Sequence, residues 1–219
     1  MERALENINK GFEGKDSNLI YKSLIDLLKY NNDMYFQKHP LGFMFLNLGK
    51  ISNYVEFRLH VWDSKFVPQD NELQIHNHSF DFESFVIKGR IKNTIYIIKE
   101  NIDSNGILYQ VKFVENKSIL DIKGDKFCIE IDSEKLIEEG CFYNLNKDDF
   151  HKSDNMLDFS ITILKMVKPK VFNSPLIFSS KKINELRAFS RSKLNENKNF
   201  EILSQVIKVC ENVTYPNKN

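Results

Sequence analysis

The chain has 219 residues, with 31 lysines and arginines against 30 aspartates and glutamates, a formal charge of +1, and 42% hydrophobic residues. That length suits one domain with appendages and buries a core without staples, while the balanced charge offers no broad field to nucleic acid or an anionic membrane. Residues 1–6 lack the apolar segment of a secretory signal, so the expectation is a cytoplasmic protein with neither nucleic acid nor membrane as partner.

Near the start, Asp16 and Ser17 can cap a helix whose apolar residues Leu19, Ile20, Leu24, Leu27 and Leu28 return at helical intervals. Residues 1–41 therefore read as an N-terminal helical extension on the outside of the core. From 42 to 170 the texture becomes β-rich, with short runs at 42–48, 54–62, 83–87, 91–98, 108–114, 127–131, 141–145 and 159–167. Runs of this length and spacing predict a sandwich or barrel of mostly antiparallel strands. Asp103-Ser104-Asn105-Gly106 reads as a hairpin tip and Ile122-Lys123-Gly124-Asp125 as another turn.

Along 54–62, Val55, Phe57, Leu59 and Val61 alternate with Glu56, Arg58, His60 and Trp62, so one face is core and the other polar. If the polar face lines a barrel mouth, Arg58 can clamp an anionic group and His60 can donate a hydrogen bond or proton; otherwise it meets solvent or a terminal helix. Residues 171–219 read as a C-terminal helical extension. Ser179 or Ser180 opens one helix through Ile183, Leu186 and Phe189, and a second carries Ile202, Leu203, Val206, Ile207, Cys210 and Val213. Residues 195–199 read as a mobile connection between them, and 215–219 as a fraying end. Such helices cover a core or, alternatively, pair in a homodimer. Cys128, Cys141 and Cys210 are odd in number and widely spaced; they read as reduced, buried thiols, with Cys141 a candidate pocket residue.

The chemistry is concentrated in Ile75-His76-Asn77-His78-Ser79-Phe80-Asp81-Phe82-Glu83, followed by Gly89 and, far downstream, His151. Residues two apart in an extended strand share a face, so His76 and His78 can offer two imidazoles to one ion, with Glu83 and His151 as further ligands. Fe(II), Mn(II), Ni(II) and Zn(II) all accept this mixture of nitrogen and oxygen, and three or four protein ligands leave positions open for substrate. Phe80 and Phe82 read as pocket walls. Asp81 is either an acceptor that holds a ligand histidine or a turn former, and is the substitute ligand if Glu83 points away.

Phe57-Arg58-Leu59-His60-Val61-Trp62, Ile75-His76-Asn77-His78, Glu83, Gly89 and Phe150-His151-Lys152-Ser153-Asp154-Asn155 together resemble the cupin superfamily, over roughly residues 42–168. In that family's first motif His-x-His is followed by three or four residues, Glu, about six residues and Gly; here the gaps are four and five, and the Pro-x-Gly common before the later histidine is missing. The resemblance implies a mainly β fold, a cupin jelly-roll β-barrel (double-stranded β-helix) over 42–170 with helical extensions at both ends. The run from His76 through Gly89 and the later His151-Lys152 are similar to the cysteine dioxygenase group of thiol dioxygenases, which implies His76, His78 and His151 as iron ligands. That group usually has Cys or Gly where Glu83 stands. Its later catalytic His and Tyr would fall at Thr162 and Leu164, and no equivalent of its substrate-carboxylate arginine occurs around 45–47. The likeness therefore implies a shared scaffold and metal rather than a shared substrate.

The resulting expectation is an Fe(II)-dependent dioxygenase acting on a small molecule with O2, without an organic cofactor, and with Zn, Mn or Ni as other candidate metals. Arg58, His60 and Asp81 are the candidate catalytic residues, and His76, His78, Glu83 and His151 the candidate ligands. The His-x-Asp signature of 2-oxoglutarate oxygenases is absent. Two alternatives stand beside it: a metal-dependent isomerase, epimerase or lyase, and a non-catalytic cupin that stores or senses a small ligand.

Overall fold

The computed structural model describes residues 1–31, 33–66, 68, 71–115, 117–171, 173–183 and 188–214. Helix α1 (Glu2–Gly14) follows from Leu5, Ile8 and Phe12, which recur on one face and are buried. Lys15 ends it in the left-handed conformation at φ 54°. Helix α2 (Ser17–Lys29) begins at Asp16, whose side chain accepts a hydrogen bond from the Leu19 N–H at 3.0 Å, as expected for a cap.

The chain then forms β1 (Gln37–Lys38), β2 (Met44–Lys50), β3 (Val55–Asp63), β4 (Ile75–His76), β5 (Asp81–Lys88), β6 (Arg90–Glu100) and β7 (Gly106–Val114). It continues through β8 (Lys117–Glu138), β9 (Phe142–Leu145), β10 (Phe150–Asn155), β11 (Phe159–Val167), β12 (Leu176–Ser179), β13 (Ala188–Ser190) and helix α3 (Glu196–Thr214). One sheet has the order β1-β2-β3-β11-β5-β9 and the other β13-β8-β6-β10-β4-β12-β7, with β7 also pairing to β8. All these pairings are antiparallel, and the two sheets form a mainly β jelly roll.

The alternation on β3 decides how the layers stack. Phe57, Leu59 and Val61, with Phe85, Ile87, Ile161 and Ile163, face the helices and bury Leu5, Ile8, Phe12, Ile20 and Leu24. The opposite face of the same sheet, with Phe45, Trp62, Phe82, Val86, Leu164 and Met166, forms the core inside the roll. Gly89 alone joins β5 in the first sheet to β6 in the second, at φ +88°. A Cβ there would lie 2.0 Å from Ser160 Oγ and 2.8 Å from the Phe159 carbonyl oxygen. Gly89→Ala is therefore expected to lower unfolding free energy by about 2–3 kcal/mol, measured by urea denaturation.

Several expectations are corrected. Residues 122–125 are not a turn but part of β8, which is 22 residues long and accommodates its bend through register shifts against β7. The turn at 103–106 is not a hairpin tip, because β6 and β7 each pair with β8 rather than with each other. Part of the stretch read as a C-terminal helical extension is strand: Leu176–Ser179 pairs with β7 and β4, and Ala188–Ser190 with β8. Leu186 and residues 215–219 lie outside the described residues. Residues 195–199 are not a mobile link. Asn195 accepts from the Lys198 N–H at 2.9 Å at the start of α3, and buried Asn199 accepts from the Phe36 N–H at 2.8 Å and donates to the Met34 carbonyl at 2.9 Å. Of the three free cysteines only Cys210 is buried, on the face of α3 that packs with Ile202 and Val206 into the helical core, and Cys141 is exposed. Among the described residues no helix is long and apolar enough to cross a membrane.

Candidate metal centre

Strand β4 is two residues long and is held on both sides. His76 is the cross-strand partner of His151 on β10 and of Ile177 on β12. Directly opposed residues project from the same face, which brings imidazoles 75 positions apart in sequence into contact. His78 lies just beyond β4, fixed by its N–H to the Lys147 carbonyl at 3.0 Å. Between the two, Asn77 turns the other way: its N–H donates to the Leu176 carbonyl at 3.0 Å and its Oδ1 accepts from the Leu176 N–H at 2.6 Å.

The three rings form a triangle with centroid separations of 4.8 Å (76 to 78), 4.8 Å (76 to 151) and 5.0 Å (78 to 151). One nitrogen from each lies within 4.8 Å of the others. Two far nitrogens are engaged. His76 Nδ1 donates to the Gln74 carbonyl at 2.9 Å, and His151 Nδ1 to Asn93 Oδ1 at 2.7 Å, an oxygen that also accepts from the Ser153 hydroxyl at 3.2 Å. These acceptors put the proton on Nδ1 and leave each Nε2 lone pair free for the centre. Burial lowers the pKa of all three imidazoles, and neighbouring imidazoles lower those of His78 and His151 further. They are neutral, as ligands must be.

Three imidazole nitrogens are a donor set that suits a borderline divalent cation, and the closest pair, His78 Nε2 and His151 Nε2, stands 2.9 Å apart. Asn93 orients the most buried of the three, so Asn93→Ala is expected to weaken metal binding about 10- to 100-fold while the fold persists, read by competition with a chelating dye.

The other expected site residues are placed differently. Glu83 does not join the three histidines. On β5 it shares a face with Phe85 and Ile87, on the helix side, and its carboxylate pairs with Lys15. Asp81 is exposed and accepts from the Lys147 N–H at 2.8 Å, which ties down the turn leading into β10. It acts as a turn former. Phe80 and Phe82 wall the site, with rings 4.9 and 5.2 Å from that of His78.

Arg58 and His60 line a cavity of about 500 Å³ that also takes in His76 and His78. The polar face of β3 thus looks into the roll. All five histidines gather here, since His39 lines the same cavity and His151 stands behind His78. Sequence reasoning missed His39, Asn93 and Arg191. His39 is stacked on Phe43 at 4.3 Å, and Arg191 comes from the segment after β13.

Burial drives His60 down to about 3 and His39 well below the ordinary range, and nearby guanidinium groups push both in the same direction. An unfolded chain takes up these protons near pH 6.5, whereas the folded one does not. Their stabilising effect is therefore complete above about pH 6.5 and is lost as acid approaches the folded values. The urea midpoint is expected to fall steadily between about pH 7 and pH 4.

No family profile matches the sequence, and no curated protein sequence matches it. Among solved structures the chain is similar to a variant oxalate decarboxylase from Bacillus subtilis, with 11% identity, 64% of this chain on 28% of that one, and a TM-score of 0.37. It is also similar to an RmlC-like cupin from Shewanella frigidimarina, with 13% identity, 64% of this chain on 89% of that one, and a TM-score of 0.36. A third is a hydroquinone 1,2-dioxygenase solved with Cd2+ and 4-hydroxybenzonitrile, with 9% identity, 67% of this chain on 72% of that one, and a TM-score of 0.36. The match spans from 28% to 53% of the length of the first three structures found. The jelly roll is defined by this chain's own strand order and register.

Proposed function

We propose that this chain is a cupin metalloenzyme, an Fe(II)-dependent oxygenase that acts on a small molecule in the cavity above His76, His78 and His151. The observation that carries this reading is the convergence of three neutral imidazoles at the wall of a chamber of about 500 Å³, with the far nitrogens of His76 and His151 already hydrogen-bonded. The three nitrogens would hold Fe(II) with positions left open beside them, and the metal would there supply the redox chemistry for dioxygen. The protein's part is to hold those nitrogens in place through Gln74 and Asn93, and to keep bulk water away with Phe80, Phe82 and Phe43. His60 stays neutral and presents its imidazole to whatever occupies the cavity.

The test uses protein purified without a histidine tag. Metal analysis and anaerobic Fe(II) loading are expected to give about one ion per chain. Nitric oxide, a stand-in for dioxygen, then gives the electron paramagnetic resonance signal of an Fe(II) centre with an open position. Protein that refuses Fe(II) turns the reading towards a ligand-binding module. Loaded protein that is silent with nitric oxide has a closed centre, and the oxygenase reading fails.

A further inference from the structure

The cavity carries a charge imbalance that the three histidines do not explain. Arg58 on β3, Arg191 beyond β13 and Lys168 just past β11 all line it, and no aspartate or glutamate is among the described residues that do. Glu56, whose field reaches Arg58, is engaged by Lys168. Among the described residues no carboxylate lies within ion-pair reach of Arg58 or Arg191. Arg58 is held by Nε donating to Asn47 Oδ1 at 3.0 Å and by the Phe45 ring at 5.6 Å. Arg191 lies over the Phe113 ring at 5.1 Å. Both side chains are thus fixed by neutral partners and keep donors to spare. Each guanidinium has five N–H groups in a planar fork.

We infer that Arg58 and Arg191 form the binding site for the acid group of the substrate, which is a small carboxylate whose other end faces the three histidines. Two half-buried like charges with no carboxylate in ion-pair reach among the described residues cost the empty protein stability, and a ligand carboxylate that joins both forks recovers it. Burial lowers both guanidinium pKa values, and for Arg191 the field of Arg58 adds to it, in keeping with this repulsion. Aromatic and aliphatic walls, among them Phe43, Phe45 and Leu164, suit the carbon skeleton of such an acid. The direction of its far end rests on the proposed function; the acid site itself needs only the cavity.

The experiment is therefore run on metal-free full-length protein, so that a carboxylate cannot bind through a cation. Glutarate and benzoate are compared with glutaramide and benzamide by isothermal titration calorimetry at low salt, on wild type, Arg58→Gln and Arg191→Gln. At least one acid is expected to bind about tenfold or more tightly than its amide, and each variant to lose about tenfold in that affinity. Ligand-free variants are expected to melt at or above the wild-type temperature, because one of two repelling charges is gone. Acids that bind no better than amides, or no heat from either acid up to about 10 mM, overturn the inference. So do variants that melt well below wild type, which makes the arginines structural. The same titrations on His151→Ala separate the two readings: acid binding that survives there stands even if the metal reading fails.

Discussion

His151→Ala is expected to lose the metal, with affinity down by roughly 100-fold or more, because it removes one of three nitrogens and the only one buried on every side by β6, β4 and the Phe82 ring. In wild type, metal at about 100 times its dissociation constant adds about 2.7 kcal/mol to unfolding, and in the variant that increment disappears. The alanine also removes one of the two donors to Asn93 Oδ1, leaving the Ser153 hydroxyl, at a further cost of about 0.5–1.5 kcal/mol. Metal analysis and melting with and without the cation measure both effects. A variant that retains stoichiometric metal shows that His151 is not a ligand.

Phe85→Ala is expected to give the opposite pattern. Phe85 is fully buried on the helix-facing side of β5, with ring centroids 5.6 Å from Tyr21 and 4.5 Å from Phe142. Truncation leaves a void between α2 and the sheet and costs about 3–5 kcal/mol, or roughly 10 °C in melting temperature. Metal content should be unchanged, since its neighbours Ser84 and Val86 present the other face of the strand. Thermal melting beside metal analysis tests the pair, and loss of metal in this variant would show that the helical layer helps to set the centre.

Legibility in the sequence followed the sidedness of each segment. The run at 159–167 coincides with β11, and the alternation across Val55 to Trp62 correctly divided β3 into an apolar and a polar face. Which way the polar face looks needs the helices, which cover the other side. His76, His78 and His151 were legible from spacing and resemblance together. Glu83 was misjudged because β5 is apolar on both faces: Phe82 and Val86 point into the roll, Phe85 and Ile87 towards the helices, and no alternation tells inside from outside. Strand β10 was invisible because Phe150-His151-Lys152-Ser153-Asp154-Asn155 has almost no apolar signal and is held by its neighbours β6 and β4. Strand β13 escaped because Ile183, Leu186 and Phe189 imitate a helical interval, and β12 because its four residues end at Ser179, which reads as that helix's cap.

The shortness of β4 couples two things that lie far apart along the polypeptide. Within its two residues, His76 pairs with β10 on one flank and with β12 on the other, so a candidate ion ligand is also part of the seam that, together with β7, secures the returning C-terminal segment. An ion bound at His76 would brace this seam from one side, while β7 holds all four of residues 176–179 from the other. Trimming the chain ahead of Leu176 removes the same stitch from the other end, and metal uptake by the trimmed chain would measure how far the three histidines depend on it.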